Sequence, residues 1–151
     1  AMSSARSAVA KLEHATGVNG LPVVVLTHGD SSVTIYRHGA TVTSWKLRGQ
    51  EMLFLSEKAI FNGKSAIRGG IPIVFPQFGP GKLPSHGFAR VTEWEVGTSR
   101  MTPESASVVL LLTDSEQTRE AWGAHAFRLE LHVTLFDSKL RTILRVVNTG
   151  E

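Results

Sequence analysis

A chain of 151 residues with 42% hydrophobic and 19% charged side chains can bury a single core, and its composition excludes disorder. Apolar runs such as Val108–Leu112 are far too short to span a bilayer, so no membrane partner is expected. A net charge of +3 without any Lys/Arg block argues against nucleic acid, and the absence of cysteine removes disulfides, thiol nucleophiles and thiolate metal sites.

The predicted elements are almost all strands. Residues 1–20 read as a mobile N-terminal tail, and residues 21–151 as the domain proper. Leu21–Thr27 is a valine-rich run closed by the turn cluster His28-Gly29-Asp30-Ser31, and Ser32–Tyr36 alternates back as its hairpin partner. Thr41–Leu47 and Glu51–Leu55 follow, and Val91–Val96 alternates around Trp94. Ser107–Thr113 holds five consecutive aliphatics and is expected to be buried on both faces. One short helix is predicted near 115–122, with Asp114 capping its first turn, Gln117 reaching back and Gly123 ending it. Phe127–Leu135 alternates strictly, with Phe127, Leu129, Leu131, Val133 and Leu135 inward, and Leu140–Val147 returns beside it. The class is all-β, an antiparallel sandwich or half of one. The closing turn Asn148-Thr-Gly150 leads to no further strand, which reads as a chain cut short.

The chemistry concentrates between residues 68 and 90. Arg68 precedes Gly69-Gly70, whose lack of Cβ atoms lets backbone approach closely. Pro72, Pro76, Pro80 and Pro84 deny the stretch helix and continuous ladder pairing, which makes it a stiff surface over the sheet. Arg90 carries a planar fork suited to phosphate oxygens, although it could instead pair with Glu93 or Glu95. His86 lies between Ser85 and Gly87, where it can exchange hydrogen bonds near neutral pH. Gln77 offers an amide that both donates and accepts, as hydroxyl recognition requires. Phe75, Phe78 and Phe88 could face a sugar ring, but at least two of them are expected to anchor the loop to the core. His125 shares the inward parity of Phe127 and is expected to be a hydrogen-bonded structural residue, with His132 solvated outside. His14, His28 and His38 fall in tail or turn segments. No histidine pair has ligand spacing with helix support, so no metal is expected.

Three motifs together carry a resemblance: Arg68-Gly-Gly-Ile-Pro, Phe75-Pro-Gln-Phe-Gly and His86-Gly-Phe-Ala-Arg90. In order and spacing they resemble the hexose-6-phosphate mutarotases (glucose-6-phosphate 1-epimerases) of the aldose-1-epimerase superfamily. The resemblance implies a galactose-mutarotase-like β-sandwich with a concave sheet for the sugar. It implies that Arg68 and Arg90 hold the 6-phosphate of a hexose, with Gln77 and His86 near the ring. It implies a cofactor-free reaction in which a carboxylate base and a histidine acid open and reclose the ring of glucose 6-phosphate, interconverting its anomers. The acid and base of that family lie beyond Glu151, so no catalytic residue is assigned in this chain. The chain resembles only the N-terminal half of such an enzyme and is expected to be inactive alone. The missing half, or another copy of the chain, would be its partner. The lack of cysteine suits a reducing compartment, and a cytoplasmic location is expected. The rival reading is a non-catalytic carbohydrate-binding β-sandwich.

Overall fold

The computed structural model describes residues 8–151. Its first strand, β1 (Ala10–Thr16), lies within the stretch expected to be a tail, and that expectation is corrected for these residues. β1 pairs in unbroken antiparallel register with β2 (Pro22–His28), from Ala10↔His28 to Thr16↔Pro22. Its sequence signal is faint because only Ala10 and Leu12 lean on the core. The opposite face carries Lys11 and Glu13, whose exposed side chains pair at 2.5 Å. The rest of the expected tail, residues 1–7, lies outside the described residues.

β2 and β3 (Ser31–Tyr36) form the expected hairpin, and β4 (Thr41–Leu47) adds to β3 with a register shift between Thr34 and Ile35. The strand expected over Glu51–Leu55 shrinks to β5 (Gln50–Glu51), which pairs only with Leu47 and Lys46. Past Glu51 the chain leaves the sheet, and Leu55 instead bridges Gly69. The strand expected around Trp94 begins later, as β6 (Glu95–Met101). Trp94 itself is a core plug, fully buried, with its indole N–H donated to the Ala89 carbonyl at 3.0 Å. β7 (Ser105–Thr113), β8 (Phe127–Phe136) and β9 (Leu140–Asn148) complete the strands as expected.

The strands form two antiparallel sheets, β1-β2-β3-β4-β5 and β6-β7-β8-β9. Their facing sides share one core, with Val24, Leu26, Val33, Ile35 and Val42 from the first sheet. Val108, Leu110, Leu129, Leu131, Val133 and Leu135 come from the second. A strand sandwiched this way shows alternation, and β7 does so despite its five aliphatics: Val108, Leu110 and Leu112 are buried, Val109 and Leu111 only half so. The both-face burial expected there occurs on β2 instead. Val24 packs in the sandwich, while Val23 packs outside it with Tyr36 and Ile67 under Phe61.

The one α-helix among the described residues, α1 (Glu116–Trp122), lies where it was expected, but its cap is Ser115 rather than Asp114. Ser115 Oγ accepts from the Thr118 amide, and Thr118 Oγ1 accepts from the Ser115 amide in return. Asp114 is engaged elsewhere, by Arg119 at 2.5 Å and by the Phe127 amide at 3.4 Å. No helix among the described residues is long and apolar enough to cross a membrane.

Candidate functional site

The segment from Arg68 to Arg90 crosses from the first sheet to the mouth of the second, held by isolated bridges rather than a ladder. At its start, the Arg68 carbonyl accepts from the Ser56 amide at 3.0 Å and the Gly70 amide donates to Phe54 at 2.6 Å. On the other side the Ile71 amide donates to Val42 of β4 at 2.9 Å. Residues 68–71 therefore thread between two backbones, and the glycines are what make that possible. Gly70 has φ +60°, and a Cβ there would lie 2.0 Å from the Val42 carbonyl oxygen. The threading leaves the Arg68 side chain exposed.

Further along, Ile73 is buried and Phe75 enters an aromatic cluster with Phe88, Trp122 and Phe127, at centroid distances of 6.0, 5.5 and 5.2 Å. The Phe75 carbonyl accepts from the amides of Phe88 and Ala89 at 3.0 and 3.3 Å. Two of the three loop phenylalanines are thus anchors. Phe78 is not: it stands 85% exposed, with its ring edge-on to His86 at 5.0 Å.

Gln77 is turned inward on its own loop. Its amide nitrogen lies within hydrogen-bond distance of the carbonyls of Gly79 (3.0 Å), Leu83 (2.9 Å) and Pro84 (3.3 Å). Its oxygen accepts from the Leu83 amide at 3.2 Å. Both N–H donors expected for hydroxyl recognition are committed to backbone. His86 adopts φ +67°, a left-handed conformation that costs a non-glycine residue about 1–3 kcal/mol and collects at functional sites. The surroundings that hold it there are specific. The His86 amide donates to the Gly79 carbonyl at 3.0 Å, and the Gly79 amide donates to His86 Nδ1 at 3.0 Å.

Arg90 lies in a 3-10 turn (Ala89–Val91) immediately after this loop. One of its terminal nitrogens donates to the Ser85 carbonyl at 2.9 Å, next to His86, while its Nε is buried without a partner. Glu93 approaches Arg37, at 3.9 Å, instead of Arg90. Gln77, His86 and Arg90 are brought together by one short loop. Arg68 lies at the other end of the segment, where its carbonyl bonds Ser56 and its side chain is exposed, with no contact to these three. The contact that sequence reasoning missed is the Gly79 amide, because a backbone donor leaves no residue-type signature.

Of the other histidines, His132 and His38 lie where they were expected, while His14, His28 and His125 do not. His28 and His38 are buried, with Nε2 atoms 2.9 Å from the Pro103 carbonyl and 2.8 Å from the Ser65 carbonyl. His125 is exposed against Trp122, at 4.5 Å, rather than facing the core. His14 lies in β1, and His132 contacts Glu130 on the outer face of β8. Among the described residues no group of three or more His, Asp or Glu side chains gathers as a metal site would.

Two carboxylates with displaced titration lie outside the loop cluster. At Glu51 burial pushes the pKa up. Hydrogen bonds from Ser44 and from the Trp45 and Leu53 amides, with Lys46 nearby, outweigh it and hold the group below its ordinary value. Glu130 is held low first by His132 and then by Arg128, against desolvation, with Arg145 adding to the effect.

Residues 22–151 match the family model described as Aldose 1-epimerase. The chain belongs to the aldose 1-epimerase family. It is 43% identical over 141 residues to a protein of Cenchrus ciliaris named "Putative glucose-6-phosphate 1-epimerase", covering 87% of this chain and 43% of that one. A protein of the same name from Escherichia coli K12 is 36% identical over 116 residues, 74% of this chain and 39% of its own length. The chain therefore spans less than half the length of these curated relatives. The crystal structure of a Salmonella typhimurium protein described as a "putative mutarotase" superposes with a TM-score of 0.82 at 31% identity. That match covers 90% of this chain and 46% of the other. The galactose 1-epimerase of Lactobacillus acidophilus, at 16% identity and TM-score 0.59 over 92% of this chain and 48% of its own, shares the fold. Membership makes this chain part of an isomerase family with an all-β, galactose-mutarotase-like sandwich, as the three loop motifs implied.

Proposed function

We propose that this chain carries the sugar-phosphate-binding loops of a hexose-6-phosphate mutarotase, which interconverts the α and β anomers of glucose 6-phosphate. The observation that carries this reading is the Gly79–His86 pair beside Arg90. A histidine is held in a left-handed conformation by two hydrogen bonds, with a guanidinium tethered one residue away at Ser85. The names of the curated relatives support the phosphorylated substrate. Arg90 and Arg68 are the cations for the 6-phosphate, because a permanently charged fork matches phosphate oxygens and a neutral sugar has no use for two of them. His86 serves the ring as a supporting hydrogen-bonding group, and the exposed Phe78 beside it offers an apolar face.

Mutarotation needs a base that takes the anomeric hydroxyl proton and an acid that protonates the ring oxygen. The C1–O5 bond then breaks to the open aldehyde, which rotates and recloses on its other face. By the family resemblance that acid and base belong to polypeptide outside these 151 residues. The chain alone therefore binds hexose phosphate weakly and does not turn it over. Titration of the 151-residue chain with glucose 6-phosphate and with glucose, followed by amide chemical shifts, tests the reading. Glucose 6-phosphate should shift Phe78, Gly79, His86 and Arg90, with glucose weaker by at least about tenfold. Equal affinity for the two sugars would favour a binding module that ignores phosphate. An anomer-specific coupled assay should detect no turnover above the spontaneous rate.

A further inference from the structure

The amide of Gln77 is the most heavily bonded side chain in the loop, and none of its bonds points to a ligand. They hold the backbone of Gly79, Leu83 and Pro84 together. The Gly79 carbonyl is shared, accepting from Gln77 Nε2 at 3.0 Å and from the His86 amide at 3.0 Å. The same residue's amide donates to His86 Nδ1. Gln77 therefore anchors the Gly79–Pro80 peptide, which is joined at the Gly79 Cα to the Phe78–Gly79 peptide whose N–H grips the His86 ring. A neutral imidazole has one donor nitrogen and one acceptor nitrogen. With Nδ1 accepting from Gly79, the proton must sit on Nε2. Space around the clamp is close: a Cβ on Gly81 would lie 2.5 Å from Gln77 Oε1.

We infer that Gln77 is a positioning residue whose clamp on the Gly79 carbonyl and the Leu83–Pro84 backbone holds Gly79 in place, so that the Gly79 N–H locks His86 as the Nε2–H tautomer, a fixed hydrogen-bond donor toward a sugar oxygen. The first half of the inference concerns the loop alone, and the last clause rests on the proposed function. A donor at that position favours an oxygen that gains negative charge, whereas the other tautomer would present a lone pair and repel it.

The test is nitrogen-15 NMR of the His86 ring in the labelled 151-residue chain, at a pH where histidines are neutral. The expected result is a protonated Nε2 and an acceptor-type Nδ1, with the Gly79 amide protected from exchange. In Gln77→Ala and Gln77→Glu the ring should become a tautomer mixture, and the Gly79 amide should exchange at least about tenfold faster. Glucose 6-phosphate should bind these variants as weakly as His86→Ala. Gly81→Ala, which keeps the glutamine but crowds it, should give the same signature. Unchanged resonances from β7 and β8 show that a variant has folded. A proton on Nδ1 in the unmodified chain overturns the inference before any variant is made. So does an unchanged Nε2–H tautomer in a folded Gln77→Ala. If the ring behaves as expected but glucose 6-phosphate does not bind the unmodified chain, the clamp is upheld and the functional reading falls.

Discussion

The sandwich interior and the 68–90 loop are ordered by different forces. In the sandwich, order comes from apolar burial: Leu26, Leu110, Leu129 and Trp94 have no exposed surface, and exchanging one aliphatic for another of similar volume leaves that force in place. In the loop, order comes from polar clamps and glycine clearances. Gln77 bonds backbone, Gly79 and His86 exchange two hydrogen bonds, and Gly70 and Gly81 admit neighbours that any Cβ would displace. The lesson is that the loop tolerates no isosteric drift. Its geometry depends on donors and acceptors at single atoms, so a small chemical change there alters a site without unfolding the domain. A third situation occurs on β9, where Leu144 and Val146 share the inward parity of Leu131 and Leu129 yet remain 37% and 55% exposed.

That contrast can be broken first at its extremes. Trp94→Ala removes a fully buried indole and its hydrogen bond to Ala89, and should cost about 3–5 kcal/mol in urea denaturation. A loss below about 1 kcal/mol would mean the interior is not close-packed around it. Gly70→Ala places a methyl against the Val42 carbonyl at φ +60° and should cost about 1–3 kcal/mol. Its effect should spread to the Arg68 and Phe54 amides rather than to β7 and β8. Next comes the pair Phe88→Ala and Phe78→Ala. The first empties part of the aromatic cluster and should lower the melting temperature. The second should change stability by no more than about 0.5 kcal/mol while weakening glucose 6-phosphate binding. Equal stability effects from the two would erase the distinction between anchor and presented ring.

The smallest expected effect concerns Glu51. Its folded pKa is depressed, so its stabilising contribution is present above the ordinary carboxylate pKa and is lost as pH falls through the depressed value. Glu51→Gln should narrow the stability difference between neutral pH and that acid range. The change should be small, because the group lies at an exposed strand end. An undiminished acid response in the variant would assign it to other carboxylates, Glu130 among them.

Much of the fold was legible because burial on one face of a strand leaves a period of two. Phe127–Leu135 shows it without a break, and β3, β4, β7 and β9 were placed within about two residues for the same reason. β1 was missed because an edge strand with one leucine on its inner face leaves almost no pattern. Trp94 misled in the opposite sense: its alternating neighbours suggested a strand centred on it, but the strand starts at Glu95 and Trp94 plugs the core just before it. In the candidate site, residue type singled out the 68–90 stretch but showed none of its internal hydrogen bonds. An amide's chemistry is visible in sequence while its partners are not, so the backbone bonds of Gln77 emerged only from the structure.

The order of residues, taken alone, determined the fold class, the location of the loop and the family, because periodicity and residue type are local properties of the chain. Only the tertiary structure decided which groups in that loop remain free. That depends on distances between atoms far apart along the chain or hidden in the backbone, such as the Gly79 amide on His86 and the Ser85 carbonyl on Arg90. Hydrogen bonds are satisfied by geometry, and geometry exists only once the two sheets have closed over their shared core.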